Sequence, residues 1–99
     1  MKNQEVVKLI KSRESGIVEF KETFDREVVE TIGAFANTKG GVVVIGVSDK
    51  GKIKGTSIGK ATLSDWTNQI SQSTEPRVIP EIEQVKIESK EIAIIRIKE

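Results

Sequence analysis

The sequence predicts a single α/β domain of the α+β kind, a mixed β-sheet with helices packed on it, in the element order α-β-α-β-β-α-β-β. Three observations carry that expectation. Segments with apolar residues at three- and four-residue spacing are interspersed with short β-branched runs. No internal repeat, linker or low-complexity tract divides the 99 residues, so residues 1–99 read as one domain around one core. Aromatic residues make up only 4% of the chain, which leaves the packing to Ile and Val.

Residues 3–12 carry Val6, Val7, Leu9 and Ile10 at helical spacing behind Asn3, an N-cap residue, and predict a short helix. Ser15-Gly16 breaks the pattern. Residues 17–21 then alternate, Val18 and Phe20 on one face and Ile17, Glu19 and Lys21 on the other, as a strand does. Asp25 caps a helix to about Asn37, whose inner face is Val28, Val29, Ile32, Phe35 and Ala36. The uninterrupted run 42–47 reads as a central strand covered on both faces. Ser48-Asp49-Lys50-Gly51 is turn chemistry and leads to a second hairpin strand around Lys52-Ile53-Lys54. Leu63, Trp66 and Ile70 define a helix over about 59–73 that ends before Pro76. Strands at 82–87 and 92–97, joined by Glu88-Ser89-Lys90-Glu91, close the chain as an antiparallel pair.

Absences restrict the chemistry. The chain has no Cys and no His, which removes disulfides, thiolate nucleophiles, zinc knuckles and every His-based triad. Reactions would have to run on carboxylates, lysines and hydroxyls. The first sixteen residues mix charge into their apolar positions, and no later run approaches membrane-spanning length, so no membrane partner and a cytoplasmic location are expected. A formal net charge of +1 argues against a polycation that coats nucleic acid through bulk electrostatics. A phosphate site would have to be a local patch.

Each candidate motif also has a structural explanation. Asn37-Thr38-Lys39-Gly40-Gly41 holds the materials of a backbone nest for phosphate, and equally those of a helix stop. It is not a P-loop, because GxxxxGK[ST] is absent and the strand follows the glycines. Lys50, Lys52 and Lys54 alternate with Gly51, Ile53 and Gly55, either as a stripe for phosphates or as the charges that protect an edge strand from aggregation. Glu14 and Glu19 flank the Ser15-Gly16 break. In extended form five residues span about 17 Å, too far to share one ion, so the glycine would have to bend the chain. Asp49 sits where an Asp-x-Gly turn accounts for it. Together these three acids offer the oxygen donors that a hard divalent cation prefers. Trp66, with neighbours at helical spacing, is expected in the core.

ESGIVEFKETF, then TIGAFANTKGGVVVIGVSDKGKIKG, then the Trp66 helix and a Pro-containing segment follow one another in an order and spacing that resemble the Schlafen AlbA-type domain, long labelled a DNA-binding domain. The resemblance covers nearly the whole chain. In bacteria and archaea such domains often precede a winged helix in transcriptional regulators, whereas in animal Schlafen proteins a two-lobed core of related units cleaves tRNA and rRNA with two glutamates and an aspartate. By position the resemblance implies Glu14, Glu19 and Asp49 as catalytic and metal-holding residues. Where many members have GVDD or GVED, this chain reads Gly46-Val47-Ser48-Asp49 and keeps only the second acid.

The function expected on this basis is a nucleic-acid-binding domain, for RNA, DNA or both, with Mg²⁺- or Mn²⁺-dependent endonuclease activity of endoribonuclease type. Lys21 and Lys39 are the cations expected to neutralise the scissile phosphate, with Lys50, Lys52 and Lys54 binding along the backbone. Lys21 has an alternative partner in Glu19 on its own strand face. A homodimer or larger assembly is expected, because a lone unit makes a short groove for RNA. The rival classes are a non-catalytic DNA- or RNA-binding domain of transcriptional-regulator type and a protein-interaction module with an exposed apolar patch.

Overall fold

A computed structural model describes residues 8, 10 and 17–98. The helix expected over 3–12 lies outside them apart from Lys8 and Ile10, both helical, and Glu14 lies outside them altogether. Six elements follow: β1 (Val18–Lys21), α1 (Arg26–Ala36), β2 (Gly41–Ile45), α2 (Thr62–Ser73), β3 (Glu81–Ile87) and β4 (Lys90–Ile97). The strands form a mixed sheet in the order β1-β2-β4-β3. β1 and β2 are parallel, with Glu19 opposite Val43 and Lys21 opposite Ile45. The β2–β4 and β3–β4 pairs are antiparallel.

β2 and the 92–95 stretch of β4 are continuous apolar runs because both faces of the sheet are covered there. Val43 and Ile45 of β2 and Ala93, Ile95 and Ile97 of β4 meet Val28 and Ile32 of α1 and Trp66 and Ile70 of α2. On the other face Val44, Ile92 and Ile94 join Phe20, Val47, Val85 and Ile87, with Ile10 and Ile53 laid over them. Each fully buried Val or Ile contributes about 1.5–3 kcal/mol, and a side chain on either face of β2 or β4 has somewhere to be buried. Trp66 is in the core as expected, its indole stacked on Phe24 with centroids 4.7 Å apart.

α1 starts where its cap residue predicts, with the Asp25 carboxylate accepting the Val28 N–H at 3.2 Å. Its end settles the Asn37–Gly41 motif in favour of a helix stop. The N–H groups of Thr38 and Gly40 turn back to the Phe35 carbonyl at 3.1 and 2.8 Å, with Gly40 at φ +80°. Two of the donors that a phosphate nest would need are therefore spent on the helix. Gly41 is required by packing, since a Cβ there would lie 2.8 Å from the Phe35 ring and 2.9 Å from the Ile17 carbonyl.

The expected hairpin partner around Lys52-Ile53-Lys54 is reduced to one antiparallel bridge, Val47 to Ile53. Gly46 at φ +103° and Gly55 at φ +81° account for this. The N–H groups of both Lys54 and Gly55 fold onto the single Gly46 carbonyl, at 2.8 and 2.9 Å, so the ladder cannot propagate. α2 begins at Thr62, three residues later than the apolar spacing suggested, with the Gly59 N–H donating to Thr62 Oγ1 at 2.8 Å. Among the described residues no helix is long and apolar enough to cross a membrane.

Candidate nucleic-acid interface

Parallel pairing brings the C-terminal ends of β1 and β2 to the same end of the sheet. There the Lys21 carbonyl accepts the Gly46 and Val47 N–H groups at 2.7 and 3.2 Å. The chain then turns through Ser48–Gly51, closed by a 2.8 Å bond from the Gly51 N–H to the Ser48 carbonyl. Gly51, at φ +84°, supplies the left-handed conformation. The Lys52 N–H donates to Ser48 Oγ at 3.1 Å and the Lys52 carbonyl accepts the Ser48 N–H at 2.9 Å. This loop carries Asp49 back toward the sheet edge.

There Asp49 and Glu19 line one depression of about 200 Å³, completed by Val18 and Phe20. Two of the three expected acids are thus brought together. Both are exposed, and the third, Glu14, lies outside the described residues. Among the described residues no cluster of three acids, His or Cys capable of holding an ion is formed.

Lys21 shares the face of Glu19 but does not pair with it. Its ammonium donates instead to Glu27 in the first turn of α1. This hydrogen bond raises the Lys21 pKa above the ordinary lysine value. Partial burial opposes the rise, and the charges of Glu27, Glu19 and Asp25 reinforce it. Glu27 is a partner that the strand pattern could not reveal, though an acid in the first turn of a helix is favoured there by the helix dipole.

The five expected phosphate-binding lysines do not form one patch. Lys50, Lys52 and Lys54 are exposed on the loop beyond the C-terminal end of β2 that also carries Asp49. Lys39 precedes Gly41 at the N-terminal end of the same strand. Five residues of strand, about 13 Å of rise, separate the two groups. Lys39 and Lys21 therefore do not face one phosphate. The sequence pattern does not single out Lys90, whose ammonium reaches the Ile53 carbonyl at 3.2 Å across 37 residues of chain. Only the tertiary fold joins them.

Residues 14–99 match the family described as Schlafen, AlbA_2. The chain belongs to this family. No curated protein matches it. Among solved structures, the DIP2311 protein of Corynebacterium diphtheriae is similar at a TM-score of 0.63 and 18% identity, over 96% of this chain and 21% of that one. The Schlafen AlbA_2 chain thus spans about a fifth of the length of that relative. The N-terminal domain of a Nitrosomonas europaea protein, described as related to the ATP-dependent DNA helicase RecG, is similar at a TM-score of 0.60 and 20% identity, over 94% of this chain and 72% of that one. Both likenesses establish the fold.

Proposed function

We propose that this Schlafen AlbA_2 domain binds nucleic acid through the Lys50, Lys52 and Lys54 loop and cleaves it, as an endoribonuclease-type enzyme, with Mg²⁺ or Mn²⁺ held by Glu19, Asp49 and Glu14. The observation that carries this reading is the common depression of Glu19 and Asp49 beside a lysine-bearing loop. Family membership and the likeness to a helicase-related domain support a nucleic-acid partner. The donor chemistry fits the ion, because oxygen ligands suit hard divalent cations and the chain offers no His or Cys. Bound there, such an ion would supply polarisation of a phosphate and a more acidic water. The chain's own contribution is negative charge at the β1 edge and positive charge along the approaching backbone. A second copy would lengthen the groove available to RNA.

A non-catalytic binder is the second reading, favoured by the exposure of Glu19 and Asp49, since solvated carboxylates on a sheet edge and in a turn need no ion. Incubation of the purified protein with labelled RNA and DNA panels, in Mg²⁺, in Mn²⁺ and in chelator, separates the two. Cleavage only with metal supports the enzyme. Binding without cleavage in every condition leaves the binder.

A further inference from the structure

We propose that Lys90 extends the phosphate-contacting patch of Lys52 and Lys54 onto β4, along the sugar–phosphate backbone flanking the Glu19–Asp49 depression; this rests on the nucleic-acid-binding reading above. Lys90 opens β4, and its side chain lies on the sheet face where Ile53 packs against Val85, Ile87 and Ile92. Its ammonium donates to the Ile53 carbonyl at 3.2 Å. An ammonium has three protons, so two remain for phosphate oxygens.

The loop and the strand are fastened together at this point. The Thr56 N–H donates to the Glu91 carbonyl at 2.8 Å, and a Cβ on Gly55 would come within 3.1 Å of Lys90 Cβ. Lys52 and Lys54 flank Ile53 in the chain, so three exposed lysines from two distant segments meet where the loop is fastened to β4. Among the described residues no carboxylate pairs with any of the three.

Lys86 gives the contrast. It faces Glu91 across the β3–β4 ladder, on the opposite sheet face. It is paired there at 4.0 Å with the Glu91 carboxylate, which also accepts from Gln84 at 2.8 Å. A sheet places neighbouring strands about 4.8 Å apart, so β4 stands roughly 10 Å from β1. Lys90 therefore serves a phosphate adjacent to the one at the Glu19–Asp49 depression rather than that phosphate itself.

The test is the salt dependence of duplex affinity for the full chain and for Lys90→Met, Lys90→Arg and Lys86→Met. Lys90→Met keeps the stem that packs on Gly55 and removes the charge. The expected result is a several-fold loss of affinity and a log–log salt slope smaller by about 0.9, the value of one phosphate on duplex DNA. Lys90→Arg should restore both, and Lys86→Met should match the parent. A parental slope in Lys90→Met overturns the proposal while the binding reading stands. Reduced affinity with an unchanged slope, accompanied by faster amide exchange at Lys54–Thr56, also overturns it and makes Lys90 a fastener of the loop. A parent chain that binds phosphatidylserine vesicles but neither DNA nor RNA removes the binding reading and this proposal with it.

Discussion

Glu19 in the edge strand β1 and Asp49 in the turn beyond β2 line one depression, although a helix and a strand separate them in the chain. The parallel β1–β2 pairing produces this juxtaposition, because it sets both strands' C-terminal ends at the same edge of the sheet. Glu19→Gln and Asp49→Asn keep shape and lose charge. Each should reduce metal-dependent cleavage by more than the roughly 10–100-fold that follows loss of an outer-shell partner, as should Glu14→Gln. Thermal unfolding should be unchanged, since both described acids are exposed. Nucleic-acid binding without metal should hold or tighten, because a like charge facing phosphate has been removed. Normal cleavage by all three variants would refute the metal site.

The loop lysines are separable from the acids by salt. Replacing Lys50, Lys52 and Lys54 together should flatten the salt dependence of affinity by up to about 0.9 for each phosphate that is no longer neutralised on duplex DNA. Titrations at four or five salt concentrations measure this directly. An unchanged slope would leave these lysines the role of protecting the loop from aggregation.

Much of the fold was legible because its signals are local. The β-branched run from Val42, which ends as a strand at Ile45 where Gly46 turns to φ +103°, the Asp25 cap and the Trp66 spacing each reflect a constraint that acts within a few residues, and each reappears in the structure. The reduction of the expected Lys52–Lys54 strand to one bridge was not legible, because it depends on the conformations of Gly46 and Gly55, which alternation of side chains does not encode. The candidate site was legible only in part. A motif names residues in order, and the length of β2 then puts Lys39 at one end of the sheet and Lys50 at the other. The Lys21–Glu27 and Lys90–Ile53 pairings arise from tertiary packing alone.

The stacked pair at the helix layer should be a large single contribution to stability. Trp66 is buried and Phe24 lies on it with ring planes 8° apart. Trp66→Ala should cost about 3–5 kcal/mol in urea unfolding, a large part of what a domain of this size possesses. A loss below about 1 kcal/mol would mean that the α2 face packs without the indole.

Gly41 tests the close approach of α1 to β2. Gly41→Ala puts a methyl into the Phe35 ring and the Ile17 carbonyl, and overpacking of this kind costs about 1–3 kcal/mol. Gly33→Ala, whose added Cβ meets nothing within 4 Å, should instead stabilise α1 by roughly 0.5–1 kcal/mol. Measured side by side, the two substitutions should shift the unfolding midpoint in opposite directions.

The Lys21–Glu27 pair gives a prediction in pH with a defined sign. The Lys21 pKa is raised in the folded chain, first by its hydrogen bond to Glu27. The folded state therefore binds the proton more tightly than the unfolded state. The stabilisation is complete below the unfolded lysine value of about 10.4 and is lost as pH rises through the higher folded value. Glu27 is 70% exposed, so solvent screening limits the pair to about 1 kcal/mol or less. Glu27→Gln should be less stable than the parent at pH 7, and the gap should close above about pH 10.4. Raised salt at pH 7 should narrow it as well. The same substitution frees the Lys21 ammonium beside Glu19, so affinity for nucleic acid should rise if phosphate competes with Glu27 for that cation. An equal stability gap at pH 7 and pH 12 would assign the effect to packing of the Lys21 stem and remove the charge pair from the account.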